Sequence, residues 1–343
     1  MCGLSVLFIS GFAFYLITRD QDFGKLKSIL SDADMRWLFC GVFLVIVFVL
    51  LESVQLSMLF NGMNCHKSFG KCALLSNVGF FFCQITPSAS GGQPMQVVYM
   101  NLIGIDVLLA TLTCMIITVI YKLVLILLFL LSLLVRPALV YGAISDVTFL
   151  FVVGLLLQIG FMVFLMVCVF RPSLAASVLD SLITLGIKTR ILKNPEKWRS
   201  RADDSLRRYT QASNFLRNNK QVMLKMILLT TLQRLAYFTV TFCVAKALNV
   251  RNCNWLSIVA IQIVLSLAVD VFPIPGSAGL NEYVFLDLQD KLFGSGLVSA
   301  GVILNRGLTF FLLIVITGIF TIIATIYFNK IQHKYSEETE SNS

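Results

Sequence analysis

Charge is what this sequence has least of. Only 13% of its 343 residues are Asp, Glu, Lys or Arg, against 57% apolar residues, more apolar side chain than a soluble fold of this size can bury. A water-soluble globular domain is thereby excluded. Histidine is scarcer still: the two, His66 and His333, lie far apart in flanking segments and offer no metal-ligand spacing. The nine cysteines are an odd number with no C-x-x-C pair. Cys40, Cys83, Cys114, Cys168 and Cys243 sit inside apolar runs, so the set reads as reduced core packing rather than a disulfide or metal framework. No phosphate-binding P-loop is present, which argues against ATP-driven pumping by this chain alone, and no cofactor is expected. Period-two alternation is also missing from runs such as 147–170, which excludes a transmembrane β-barrel.

Long uncharged runs are present instead. A hydrocarbon core about 30 Å thick is crossed by roughly 20 helical residues, and with no water to satisfy its backbone each such run must be helical. Six full spans are read, at about residues 2–18, 37–60, 107–135, 147–170, 222–248 and 296–328. The first lacks the basic start and small-residue cleavage site of a signal peptide, so it is read as a span. The expected fold class is all-α, a polytopic transmembrane bundle of about eight helices. It forms a single membrane domain over 1–330, with a polar tail at 331–343.

Two further apolar stretches are interrupted. Residues 72–105 contain no charge but are cut by Thr86-Pro87-Ser88-Ala89-Ser90-Gly91-Gly92-Gln93-Pro94, and residues 252–286 are cut by Pro273-Ile274-Pro275-Gly276-Ser277-Ala278-Gly279-Leu280-Asn281-Glu282. Proline removes a helical donor and clashes with the preceding turn, and glycine loosens the backbone, so both helices break near 86–94 and 273–282. In each, a proline (Pro87, Pro275) is followed four residues on by glycine (Gly91, Gly279) and two further by an amide (Gln93, Asn281). Such paired interruptions point to an inverted repeat with a binding site near the midplane, here built from two re-entrant hairpins. Loop charge is equally compatible with one arm of each break spanning the membrane.

The only sizeable polar segment, 171–225, carries twelve Lys/Arg against Asp180, Glu196, Asp203 and Asp204, which marks it as cytoplasmic. Within it Trp198, Ala202, Leu206, Tyr209, Ser213 and Leu216 recur at helical spacing between arginines. That is the pattern of an amphipathic helix on an anionic membrane surface, preferred over nucleic-acid binding because no recognition motif accompanies it.

The half-helices following the breaks would turn exposed N–H groups and positive dipole ends toward the midplane, a setting that suits a lipid phosphate. The candidate headgroup residues are Thr86, Ser90, Gly91, Gly92, Gln93, Gly276, Gly279, Asn281, Glu282 and Arg306; no catalytic residue is assigned. Charges within apolar runs, at Glu52, Lys122, Arg234, Asp270, Glu282 and Arg306, each need a partner or a wet cavity, because a centred charge costs about 2.5–3.5 kcal/mol on insertion scales. Sequence does not pair them, and the competing reading of the breaks is that they are only packed kinks.

Three of these segments resemble a known family in order and spacing. Residues 85–94 are similar to a T-P-G-x-x-G-G-E-P element, 273–282 to P-x-P-G-G-x-G-x-x-E, and Asn305-Arg306-Gly307-Leu308-Thr309-Phe310 to Y-R-x-x-T-F, all of the membrane domain of lysylphosphatidylglycerol synthetases, the multiple peptide resistance factor family. The departures are Gln93 where the family commonly has Glu, and Met95-Gln96 where an Arg commonly follows. The resemblance implies a flippase-like protein of the bacterial plasma membrane that moves an anionic or aminoacylated phospholipid between leaflets, with a role in resistance to cationic antimicrobial peptides. It also implies the alternative of phosphatidylglycerol lysyltransferase activity, and a further alternative is a membrane scaffold that recruits a separately encoded synthase through the basic loop. The soluble aminoacyltransferase domain of full-length members is not expected here, since only Asn329 to Ser343 follow the last span, so a separate soluble acyltransferase is an expected partner beside phospholipids and the anionic membrane surface.

Overall fold

The computed structural model describes residues 29, 31–86, 89–171, 195–251, 253–272, 274, 277, 279–294 and 296–341, the side chains within 195–203, at 205, 208 and 216, and beyond 332 excepted. The proposed first span at 2–18 lies outside them. All regular structure among the described residues is helical: α1 Met35–Gly62, α2 Phe69–Ile85, α3 Gly92–Leu102, α4 Val107–Val135, α5 Pro137–Asp146, α6 Thr148–Phe170, α7 Pro195–Asn218, α8 Lys220–Ala247, α9 Trp255–Val269, α10 Leu280–Phe293, α11 Val298–Arg306 and α12 Leu313–Ser341. A π-helical turn, Gly307–Leu312, joins the last two.

Five helical segments are long and apolar enough to cross a membrane: α1, α4, α6, α8 and the continuous run Val298–Gln332. They fall within a few residues of the expected spans, because uncharged runs bounded by capping residues leave little choice. Asp34, Asp106 and Asn254 accept backbone N–H groups at the starts of α1, α4 and α9, satisfying donors that hydrocarbon cannot. The packing is inside-out relative to a soluble protein. Leu134 and Phe149 are 80% and 76% exposed, whereas Gln55, Gln158 and Gln233 are buried. Gln55 and Gln233 bond each other across the α1–α8 interface at 3.1 Å.

Both interrupted stretches fold as helix–break–helix hairpins. With 17 residues, α2 is about 26 Å long and the 15-residue α9 about 22 Å, each short of a full crossing. In the first hairpin α3 runs back along α2: Gln96 Nε2 donates to Leu75 O at 3.1 Å, Gly79 faces Gln96, and Gly92 faces Cys83. Lys67 Nζ donates to Ile103 O at 2.9 Å, clasping the two ends together. In the second hairpin α10 packs on α9, every residue of which from Ser257 to Val269 is buried.

The two hairpins enter from opposite sides. Basic helix α7 lies across one side, where Tyr209 Oη and Ser213 Oγ donate to Cys168 O and Val169 O at the end of α6 and Phe215 covers Gly62 at the end of α1. The clasped ends of the first hairpin follow directly from that end of α1. At the opposite side Asp34 N donates to Ala247 O, and Lys291, near the end of the second hairpin, pairs with Asp146 at 2.6 Å just before α6 begins. The tips repeat each other in detail: Ala89 and Ser277, each two residues beyond the corresponding proline in sequence, are non-glycine residues with φ of 53° and 52°.

Candidate functional site

A cavity of about 730 Å3 lies between the hairpin tips, walled by α1, α2, α4, α6, α8 and α9 and by the α11–α12 junction. Ala89, Ser90, Gln93 and Pro94 line it from one tip, and Ile274, Ser277 and Asn281 from the other. Left-handed φ in a non-glycine residue costs roughly 1–2 kcal/mol. That both tips bear this cost at matching positions, facing one cavity, is the kind of local strain that gathers at functional sites.

The expected site residues separate into two groups. Ser90, Gln93, Asn281 and Arg306 line the cavity, as do the embedded charges Lys122, Arg234 and Asp270. Thr86, Gly91, Gly92, Gly279 and Glu282 instead build the hairpins, and Gly276 lies outside the described residues. Thr86 Oγ1 donates to Phe82 O at 2.6 Å and accepts from Gly91 N at 2.9 Å, closing the first tip. A Cβ on Gly91 would meet Thr86 at 2.5 Å, and one on Gly92 would meet Cys83 Sγ at 2.1 Å and Gly79 O at 2.7 Å. Their smallness therefore serves the close approach of α3 to α2 rather than of a ligand to backbone. Gly279 has φ 85° with open space around it, so it is required for conformation.

The start of α10 is filled by the chain's own acid. Glu282 accepts from Gly279 N at 2.6 Å, and its other carboxylate oxygen accepts from Arg306 Nε at 2.6 Å. Both side chains are nearly buried, at 8% and 11% exposure, and the Arg306 guanidinium lies 4.5 Å from the Phe310 ring centroid. The π turn that follows Arg306 widens the helix there, and Asn305, Arg306 and Thr309 all reach the cavity wall. Glu52 stands behind the wall, accepting from Gln96 Nε2 at 3.2 Å.

The remaining cations are held differently. Lys122 Nζ donates to Gln158 Oε1 and lies 5.2 Å from the Phe161 ring centroid. Arg234 stacks on Tyr121, its guanidinium carbon 3.9 Å from the ring centroid, with Phe48 at 5.2 Å. Tyr121 Oη donates to Asp270 Oδ2 at 2.7 Å. Gln93 Nε2 donates to Thr118 Oγ1, and Thr241 Oγ1 to Asn305 Oδ1 at 2.9 Å. Tyr121, Thr118, Gln158, Gln262 and Asn305 were not singled out by the sequence reading. Their signal was available: each is a lone phenol, hydroxyl or amide within an apolar helix, where a polar group needs an internal partner.

The family model for the lysylphosphatidylglycerol synthase TM region matches residues 3–318. The chain belongs to that family. The match spans both hairpins, Arg306 and the π turn, and it ends within α12. No curated protein matches the sequence.

Proposed function

We propose that this member of the lysylphosphatidylglycerol synthase TM family moves phospholipid headgroups between the leaflets of a bacterial plasma membrane. The supporting observation is the cavity itself: polar, cationic, and placed between the tips of two opposed hairpins, neither of which crosses the bilayer. A headgroup drawn into such a cavity is shielded from hydrocarbon while its acyl chains stay outside. The wall at α6 suits this division, because Leu157 and Phe161 line the cavity yet are 49% and 46% exposed on the outer surface of the bundle. Lys122, Arg234 and Arg306 face the cavity against Asp270 and the Glu282 that pairs with Arg306, a net positive balance that favours an anionic or aminoacylated phosphodiester. Basic helix α7 would rest on anionic lipid on one face, where a separate soluble aminoacyltransferase could deliver its product. Movement of lysylated lipid to the outer leaflet would link the protein to resistance against cationic antimicrobial peptides.

The test is leaflet exchange in proteoliposomes with fluorescent phosphatidylglycerol and lysylphosphatidylglycerol. Accelerated exchange of one or both is expected; folded, reconstituted protein that leaves both rates at the protein-free value rejects the reading. The family name also carries a second reading, lysyl transfer from lysyl-tRNA to phosphatidylglycerol. Lysylated lipid formed by the isolated chain from those two substrates would put it first.

A further inference from the structure

Arg306 and Arg234 both face the cavity, but they are not equivalent. Arg306 is neutralised by Glu282 at 2.6 Å. Arg234 makes no ion pair among the described residues, and its Nε is buried without a hydrogen-bond partner. A guanidinium carries five N–H donors in a planar fork, and an unused donor within the membrane costs free energy until something accepts from it. Aromatic rings flank Arg234, Tyr121 beneath its plane and Phe48 beside it, with the carboxylates of Glu52 and Asp270 within electrostatic reach but not in contact. Stacking fixes the plane of the guanidinium and leaves its edge for a planar or tetrahedral oxyanion.

The nearest acid on the cavity wall is restrained. Asp270 lies within electrostatic reach of both Arg234 and Lys122, yet its Oδ2 accepts from Tyr121 Oη at 2.7 Å. One side chain thus performs two tasks. The ring of Tyr121 carries Arg234, and its hydroxyl holds the carboxylate that would otherwise compete for the same guanidinium.

We infer that Arg234 is the anion subsite of the cavity, taking the phosphate oxygens of a phosphodiester or phosphomonoester, and that Tyr121 is a positioning residue that keeps Asp270 from occupying it. This rests on the transport reading for its lipid ligand but not for its chemistry. Freed from Tyr121, Asp270 becomes an internal competitor for Arg234. The sign of each substitution follows: Arg234→Gln weakens anion binding, Tyr121→Phe weakens it while keeping the stacked ring, and Asp270→Asn added to Tyr121→Phe restores it. A merely structural role for the Tyr121 hydroxyl predicts no such restoration.

The experiment is calorimetric titration of the detergent-solubilised full chain with short-chain phosphatidylglycerol, and separately with sn-glycerol 3-phosphate. Wild type is expected to bind the lipid. Arg234→Gln should bind about tenfold or more weakly, as expected for loss of a charge-assisted contact, Arg234→Lys by a smaller factor, and Tyr121→Phe should lose affinity that the Tyr121→Phe/Asp270→Asn pair recovers. Glycerol 3-phosphate binding with the same Arg234 dependence assigns the subsite to phosphate from either source; lipid binding alone assigns it to the lipid headgroup. Unchanged affinity in a folded Arg234→Gln protein, or a double variant no better than Tyr121→Phe, overturns the inference. Should Arg234→Gln not fold, the Tyr121 series decides alone. Arg234-dependent binding without leaflet exchange rejects the transport reading and keeps the subsite, whereas exchange that survives Arg234→Gln does the reverse.

Discussion

Removing Glu282 should unfold more than it disarms. Its carboxylate accepts from both Gly279 N and Arg306 Nε at 2.6 Å, and both members of the ion pair are about nine-tenths buried. Breaking a buried pair by deleting one member strands the other charge and costs about 3–5 kcal/mol, whereas replacing both by apolar residues of similar volume is often close to neutral. Glu282→Leu should therefore destabilise by about 3–5 kcal/mol, with the lost helix cap adding about 1 kcal/mol. Arg306→Met should fall in the same 3–5 kcal/mol range for the stranded carboxylate. The double variant should recover most of that loss, its destabilisation falling below that of either single variant rather than reaching their sum. The assay is reversible denaturation in mixed micelles followed by circular dichroism for all four proteins, with leaflet exchange measured on those that fold. Because the unpaired anion contact is assigned to Arg234, exchange should return with the fold in the double variant. Additive losses, or single variants as stable as wild type, would refute the view that this pair anchors the second hairpin to the α11–α12 helix.

Three other outcomes follow from local geometry. Gly92→Ala and Gly154→Ala should each destabilise by roughly 1–3 kcal/mol in the same assay, since the added methyl would meet Gly79 O at 2.7 Å and Leu267 O at 2.2 Å, and backbone does not swing aside; a neutral result at either would mean the helices slide freely. Ala89→Gly and Ser277→Gly should each raise stability by up to about 1 kcal/mol by relieving left-handed φ, partly offset by unfolded-chain entropy, whereas Val at either position should lower it. Burial, with a lesser contribution from nearby Cys168, pushes the Tyr209 phenol from its ordinary 10 up to about 12. The folded state therefore holds that proton more tightly, so the docking of α7 is fully supported below pH 10 and weakens as pH rises from 10 toward 12. Protection of α7 amides, taken relative to base-catalysed intrinsic exchange at each pH, should fall in that window for wild type and not for Tyr209→Phe.

The membrane fold was legible because its signal is redundant. Apolar runs of 20 or more residues, even those that hold one embedded charge such as Glu52 or Lys122, permit only a helix, and their ends fell at Asp34, Asp106 and similar polar caps. The hairpins were legible for a different reason, since proline and glycine act through the backbone itself and the spacing from Pro87 to Gly91 to Gln93 recurs from Pro275 to Gly279 to Asn281. Side-chain roles were harder. Gly91 and Gly92 looked like a place for a ligand to approach backbone, but small size alone does not say what approaches, and here it is Thr86 and Cys83. Glu282 looked like a headgroup contact, and whether it meets Arg306, Arg234 or a ligand depends on a fold-back 24 residues long that no local pattern encodes. The wall residues Tyr121 and Gln262 carry no motif; only their isolation within apolar helices marks them.

The symmetry of the hairpins also explains where charge is and is not placed. Both tips carry a non-glycine residue at left-handed φ and an amide, Gln93 or Asn281, at the cavity, and the second adds the Asp270 carboxylate at the end of α9. The cations come from elements outside the hairpins: Lys122 from α4, Arg234 from α8 and Arg306 from α11. Placing the cations on helices outside the hairpins and the amides on the tips would let one headgroup bridge the two. An acid introduced at the first tip, Gln93→Glu, adds a negative charge beside Thr118 on the cavity wall, and it should weaken phosphate binding at Arg234. Titration with short-chain phosphatidylglycerol measures this directly, and unchanged affinity would show that the tips and the cations do not share one ligand.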